Sequence, residues 1–218
     1  MSKVHYKLAS MCVDSYSQHT FVDGDVEILY KHEGFVNYFA IRGTEASAFF
    51  SGRGWMDILR DLRFWPNKIN NATVHAGFLR GYNNICDYIE ESCSLNDHPV
   101  VFTGHSMGGA IALIAAYDMM AVAPNRLLGC VTFGAPRCIN WDNVDDDVYD
   151  KLKKKVVQFQ HVGDIVPGFL GFTSYEHIDS TMLPYRFSEG ERWGYFSRDW
   201  KYHRMNLYRD LIMQRIGS

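Results

Sequence analysis

The residues with the clearest chemical potential lie in Val100-Val-Phe-Thr-Gly-His-Ser-Met-Gly-Gly-Ala110, where Gly104, Ser106 and Gly108 spell Gly-x-Ser-x-Gly. By composition alone that pattern arises in roughly one chain of this length in fifteen, so its context carries the argument. Residues 99–103 read as a short buried strand, and 108–122 as a helix with a small-residue face. A serine at a sharp strand-to-helix turn is held in a strained conformation with its hydroxyl raised above the sheet. Glycines two residues to either side let strand and helix approach with no β-carbons between them. The helix that opens there aims its first amides at the same spot, so the Met107 N–H can bind a developing oxyanion. The competing reading is a tight turn whose serine only caps the helix.

A serine nucleophile needs a base, and the base needs an orienting carboxylate. In strand–turn–helix hydrolases the chain order is serine, acid, histidine. The strand-like run 156–160 is followed by His161-Val-Gly-Asp164-Ile-Val-Pro167, which puts Asp164 where a sheet's carboxyl edge presents it. Only two histidines follow, His177 and His203. His203 stands at the mouth of the last helical segment and is the favoured base, while His177 lies in an extended-looking stretch and is the alternative. His105, adjacent to the serine on a tight turn, is badly placed to be its base and reads as a packed structural histidine.

The elements that must position these groups alternate. Residues 26–30 and 35–41 form neighbouring strands joined by a turn at Glu33-Gly34, and the second is apolar at nearly every position. Phe78, Tyr82, Ile85, Ile89 and Cys93 recur at steps of three and four, which predicts one amphipathic helix over 76–93. Strands follow at 129–133 and 156–160, and the final helix is expected over 199–216. Strands apolar throughout and alternating with helices predict an α/β fold with a mostly parallel central sheet flanked by helices, in a single domain over 1–218. The segment 142–155 places acids at a helix start and lysines at its end, as the helix dipole favours, and reads as a solvated structural helix.

With 22 basic against 25 acidic side chains in 218 residues, the near-balance argues against a nucleic-acid partner. Aromatic residues make up 15% of the chain, enough surface to bury that disorder is excluded. The five cysteines are odd in number and contain no Cys-x-x-Cys, so they read as reduced, mostly buried side chains. No apolar run of signal-peptide or membrane-span length is seen, and a cytoplasmic location is the expectation. No phosphate cradle, zinc-ligand cluster or dinucleotide fingerprint is present, so neither metal nor cofactor is expected.

Taken together, these segments resemble the class 3 (fungal-type) lipases of the α/β-hydrolase superfamily. Ile41-Arg-Gly-Thr44 is similar to the family's strand-end motif for a second oxyanion donor, and Val74-His-Ala-Gly-Phe78 to its His-x-Gly-Phe element. The 102–110 elbow, Phe133-Gly-Ala-Pro-Arg137, His161-Val-Gly-Asp-Ile-Val-Pro167 and His203-Arg-Met-Asn-Leu-Tyr208 follow in the family's order. The resemblance covers about residues 38–208. It implies a triad of Ser106, Asp164 and His203, an oxyanion hole of Thr44 and Met107, and structural roles for His75, His177 and Asp61.

On the substrate side, residues 45–56 occupy the place of the family's lid, where Phe49 and Phe50 either meet lipid or cover the core edge. Phe169, Leu170 and Phe172 either line an acyl pocket or belong to the core. The expected activity is serine-dependent hydrolysis of an acyl-lipid ester, of triacylglycerol lipase or phospholipase A1 type, possible at a membrane or micelle surface. Small-ester hydrolysis and a non-catalytic binding module are the alternatives, and no protein partner can be inferred.

Overall fold

The structure is a computed structural model that describes residues 1–42, 66–171, 173–178, 181–183 and 200–216. In chain order its strands are β1 (Phe21–Asp23), β2 (Val26–Glu33), β3 (Val36–Arg42), β4 (Pro66–Ile69), β5 (Ala72–His75), β6 (Val100–His105), β7 (Leu127–Phe133), β8 (Ile139–Asn140), β9 (Val156–His161) and β10 (Thr181–Leu183). The helices are α1 (Lys3–Asp14), α2 (Ala76–Asn83), α3 (Cys86–Ser94), α4 (Met107–Val122), α5 (Asp146–Lys153) and α6 (Met205–Ile216).

Seven strands form the main sheet in the order β1-β2-β3-β6-β7-β9-β10, and β4, β5 and β8 form a smaller one. The pairs from β3 through β10 are parallel, whereas β1–β2 and β2–β3 are antiparallel. The expected mostly parallel sheet is therefore present, with an antiparallel edge of β1, β2 and β3; the β2–β3 turn expected at Glu33-Gly34 falls on Gly34-Phe35, since Glu33 still pairs with Val36. Apolar side chains leave β3 and β6 in both directions: Phe39, Ile41, Val100 and Phe102 enter one core, Ala40 and Val101 the other. Covering both faces explains why these strands are apolar at consecutive positions. Helix α4 is buried continuously from Met107 to Tyr117, so it has no polar face in that stretch.

Two helix expectations are corrected. The single helix expected over 76–93 is two, α2 and α3, because the chain tightens at Asn84–Ile85. There the Ile85 N–H donates to the Tyr82 carbonyl at 2.9 Å, and the Ile85 side chain turns fully into the core. The last segment is likewise divided into a 3-10 turn at Trp200–His203 and helix α6. His203 therefore sits at a break, not inside a helix. Helix α5 agrees with its charge pattern. The Asp145 carboxylate caps the amides of Asp147 and Val148, and Lys151 and Lys153 occupy the last turn.

Register brings three strand ends together: His105 of β6 pairs with Phe133 of β7, which pairs with Phe159 of β9. Ser106, Gly134 and Asp164 emerge just beyond these ends, at the sheet's carboxyl edge. Open α/β sheets present their ligand sites at that edge.

Candidate active site

Ser106 adopts φ 58° and ψ −129°, outside the range comfortable for a residue with a β-carbon. Three constraints hold it there. Its N–H donates to the Phe133 carbonyl at 3.0 Å, tying the turn to β7. A β-carbon at Gly104 would overlap the Gly108 carbonyl, and one at Gly108 would overlap the Ile41 carbonyl of β3. Both glycines are thus demanded by backbone contact. A capping serine would accept from a first-turn amide, but Ser106 makes no side-chain cap bond.

Its hydroxyl instead faces histidine. His203 Nε2 lies 2.9 Å from Ser106 Oγ, and His203 Nδ1 lies 2.8 Å from Asp164 Oδ2. Of the two histidines that follow Asp164, His203 is the one placed against both Ser106 and Asp164. His177 is turned away, its Nε2 donating to the Pro167 carbonyl at 2.9 Å.

Asp164 is itself held on both oxygens. Oδ1 accepts the Val166 N–H at 2.9 Å, and Oδ2 accepts the Tyr208 hydroxyl at 2.6 Å as well as facing His203. Burial, reinforced by the adjacent Asp164 charge, pushes the Tyr208 hydroxyl well above its ordinary pKa, so it remains a donor. The turn that carries the acid is pinned too. The Asp164 N–H donates to the His161 carbonyl at 3.0 Å, and the His161 ring stacks on Tyr202 with centroids 4.7 Å apart. Tyr202 immediately precedes the base, so this stack joins the acid's turn to the base's turn.

His105 is 6% exposed and packs against the base, ring centroids 4.6 Å apart. Burial, with His203 beside it, pushes its pKa well below the usual histidine range and keeps it neutral. His75 is fully buried against Phe78 and Tyr175, and burial lowers it to about 4.

Met107 opens helix α4 directly after Ser106, the position expected of an oxyanion donor. Thr44, Phe49, Phe50, Phe172, Asp61 and the 45–56 segment lie outside the described residues. Of the two readings open for Leu170, acyl pocket or core, the structure shows a side chain fully buried in the main core, at φ 63°. Phe169, next to it, is half-buried and packs against the same core.

The structure brings together the Ser106, Asp164 and His203 singled out from the sequence, where Tyr208 figures only as a tyrosine following His203 and Gly134 only within the 133–137 motif. Tyr16 and the Tyr202–His161 stack are not foreseen there, because each contact joins distant chain segments.

A model of the class 3 lipase family matches residues 38–173, more than half of the chain. This chain belongs to the class 3 lipase family. A lipase of Caenorhabditis elegans is 28% identical to this family member over 135 residues, 60% of this chain and 36% of the relative. A chloroplastic phospholipase A1 of Arabidopsis thaliana is 30% identical over 107 residues, 46% of this chain and 20% of that protein. The class 3 lipase chain thus spans about a third or less of these curated relatives' own length. Among solved structures, the Lip2 lipase of Yarrowia lipolytica superposes with a TM-score of 0.61 at 19% identity, covering 85% of this chain and 80% of that one. That likeness gives the class 3 lipase chain the α/β-hydrolase fold of its relatives.

Proposed function

We propose that this class 3 lipase family member hydrolyses carboxylic esters of acyl lipids through an acyl-enzyme on Ser106. One observation carries the reading: the His203 ring spans Ser106 Oγ at 2.9 Å and Asp164 Oδ2 at 2.8 Å. In the reaction, His203 Nε2 takes the hydroxyl proton as Ser106 Oγ attacks the ester carbonyl. Asp164 holds the Nδ1–H tautomer and stabilises the imidazolium that forms. The charge that develops on the carbonyl oxygen is assigned to the backbone N–H of Met107, at the N-terminus of α4, together with Thr44. His203 then returns its proton to the departing alcohol. Water, activated by the same ring, releases the fatty acid and restores Ser106.

The names of the relatives, lipase and phospholipase A1, support a glycerolipid as the ester. Access to such a substrate at a membrane or micelle surface is part of the proposal. Among the described residues no helix is long and apolar enough to cross a membrane.

The test combines a fluorophosphonate serine probe with hydrolysis of p-nitrophenyl esters of increasing chain length, a triacylglycerol and a phosphatidylcholine. Labelling that disappears in Ser106→Ala, with turnover of long-chain esters, supports the reading. Folded protein that is unlabelled, or labelled equally in Ser106→Ala, overturns it. Turnover confined to the shortest esters replaces the lipid substrate with a small one.

A further inference from the structure

We infer that His105 and Tyr16 are positioning residues of this reaction, holding the base His203 in place through its main-chain carbonyl. The inference rests on the proposed hydrolysis and assigns a task to a histidine that the triad leaves unused.

His105 Nε2 lies 2.7 Å from the His203 carbonyl oxygen, and His105 Nδ1 lies 2.6 Å from the Tyr16 hydroxyl. A carbonyl can only accept, so Nε2 carries the proton. In a neutral imidazole that leaves Nδ1 as the acceptor, and the Tyr16 O–H donates to it. The His203 carbonyl therefore fixes the Nε2–H tautomer of His105, and the Tyr16 hydroxyl satisfies the Nδ1 lone pair that this tautomer leaves. With the other tautomer, two lone pairs would face each other across the same gap.

His203 is the last residue of the Trp200–His203 3-10 turn, directly before helix α6. Asp164 and Ser106 engage the His203 ring, which fixes how the ring rotates. His105 instead engages the main chain from which the ring hangs. Because His105 is covalently next to Ser106, nucleophile and base are tied together through a single residue. Displacing a reacting group by about 1 Å can cost 10²-fold in rate, so a clamp on the base's main chain bears directly on turnover.

Tyr16 is itself braced. It follows helix α1, and its N–H donates to the Val13 carbonyl at 3.1 Å. The Arg42 guanidinium lies over its ring, 4.9 Å from the centroid, and pairs with Glu27 of β2 at 2.6 Å. Burial pushes the Tyr16 hydroxyl far above its ordinary pKa, so it remains a donor. The family match begins at residue 38. This chain's own N-terminal segment thus supplies the outer end of the clamp.

A histidine that merely filled space under the elbow could be replaced by an apolar side chain. The test separates the two roles with p-nitrophenyl butyrate kinetics, thermal unfolding and proton NMR of the Asp164–His203 hydrogen bond. His105→Leu removes the donor. His105→Gln can place an amide N–H where Nε2 stood. Tyr16→Phe deletes one hydroxyl and keeps the ring beneath Arg42.

The expected result is a loss in kcat of about 10²-fold for His105→Leu with KM little changed. The larger part is recovered in His105→Gln, and the downfield proton of the Asp164–His203 bond is lost with Leu but present with Gln. Tyr16→Phe is expected to lower kcat by about tenfold, and it decides the matter even where Leu at 105 does not fold. Unchanged kcat in Tyr16→Phe, or His105→Gln no better than His105→Leu in folded protein, overturns the inference. A wild-type protein that neither labels at Ser106 nor turns over ester overturns the proposed function instead, so the two failures are distinct.

Discussion

The Tyr208 hydroxyl donates to Oδ2 of Asp164 at 2.6 Å, the same oxygen that faces Nδ1 of His203 at 2.8 Å. That oxygen serves two donors, and the tyrosine also accepts the His161 N–H at 3.1 Å. Tyr208→Phe removes the hydroxyl while keeping the buried ring. It leaves the His161 amide without that acceptor and frees the carboxylate to turn away from the base. A loss in kcat of about tenfold is expected, with a stability cost of about 1–3 kcal/mol. Steady-state kinetics and denaturant unfolding on the same preparation check both. An unchanged kcat would show that the Val166 amide alone suffices to orient Asp164.

Gly134 lies beside Asp164, His203 and Tyr208 at φ 57°. A β-carbon there would sit 2.8 Å from Asp164 Oδ2 and 3.1 Å from His203 Nδ1. Gly34, in the β2–β3 turn, has a similar φ of 61° but open space around it. Both alanine variants incur the left-handed backbone cost of about 1–2 kcal/mol. Only Gly134→Ala should also lose hydrolysis, by about 10²-fold or more as acid and base are pushed apart. Comparing Tm and kcat for the two variants isolates geometry from strain. Equal activity in the two would mean that the site absorbs the intrusion.

His203→Ala is expected to lower kcat by about 10⁴-fold or more, as loss of a triad member does. His177→Ala removes a donor from the Pro167 carbonyl and costs stability of about 1–3 kcal/mol, with kcat of the wild-type order. Kinetics measured below the lower of the two unfolding temperatures make the comparison. A greater catalytic loss at 177 would reverse the assignment of the base.

The parts of the site legible in the residues were those dictated by local backbone demands or chain order. Gly104 and Gly108 announce close strand–helix contact because no other residue fits there. Asp164 follows from the strand that precedes it, and His203 from chain order and its place at the mouth of the last helical segment. The helix break at Ile85 was hidden because Phe78, Tyr82, Ile85 and Ile89 keep helical spacing across it. The tight turn at Asn84–Ile85 preserves nearly the same apolar stripe. The two readings of Leu170 stayed open because nothing in its neighbours signals φ 63° at a residue with a β-carbon. The Tyr16–His105 bond joins residues 89 positions apart, and such a contact has no local signature. Short strands such as β1 and β8 exist through their partners and carry little intrinsic preference to read.

All five cysteines are free thiols, and Cys12, Cys93, Cys130 and Cys138 are buried. Burial pushes Cys12 up to about 12 and raises Cys130 and Cys138 as well. Only Cys86 is half-exposed, and burial together with the neighbouring Asp87 raises it too. Thiolate, not thiol, is the reactive form. Titration with a chromogenic disulfide should therefore modify Cys86 slowly in the native protein and the other four only on unfolding. Reductant should leave Tm unchanged, and modified Cys86 should leave ester hydrolysis intact. A drop in Tm with reductant would require a disulfide in solution.

Burial lowers His75 to about 4 from an ordinary 6.5, and lowers His5, His105, His161 and His177 in the same direction. Between pH 6.5 and about 4, the unfolded chain binds a proton at position 75 that the folded chain does not. Stability from this residue is therefore fully present above pH 6.5 and is lost as the pH falls toward 4. The other four histidines add with the same sign. Tm should fall steadily on acidification from pH 7 to pH 5, before most carboxylates titrate. His75→Gln, which cannot take up the proton, should show a shallower slope of Tm against pH whatever its Tm at neutral pH. An unaltered slope would mean that His75 is protonated at the same pH in the folded and unfolded chains, and that its buried place against Phe78 and Tyr175 admits the charge.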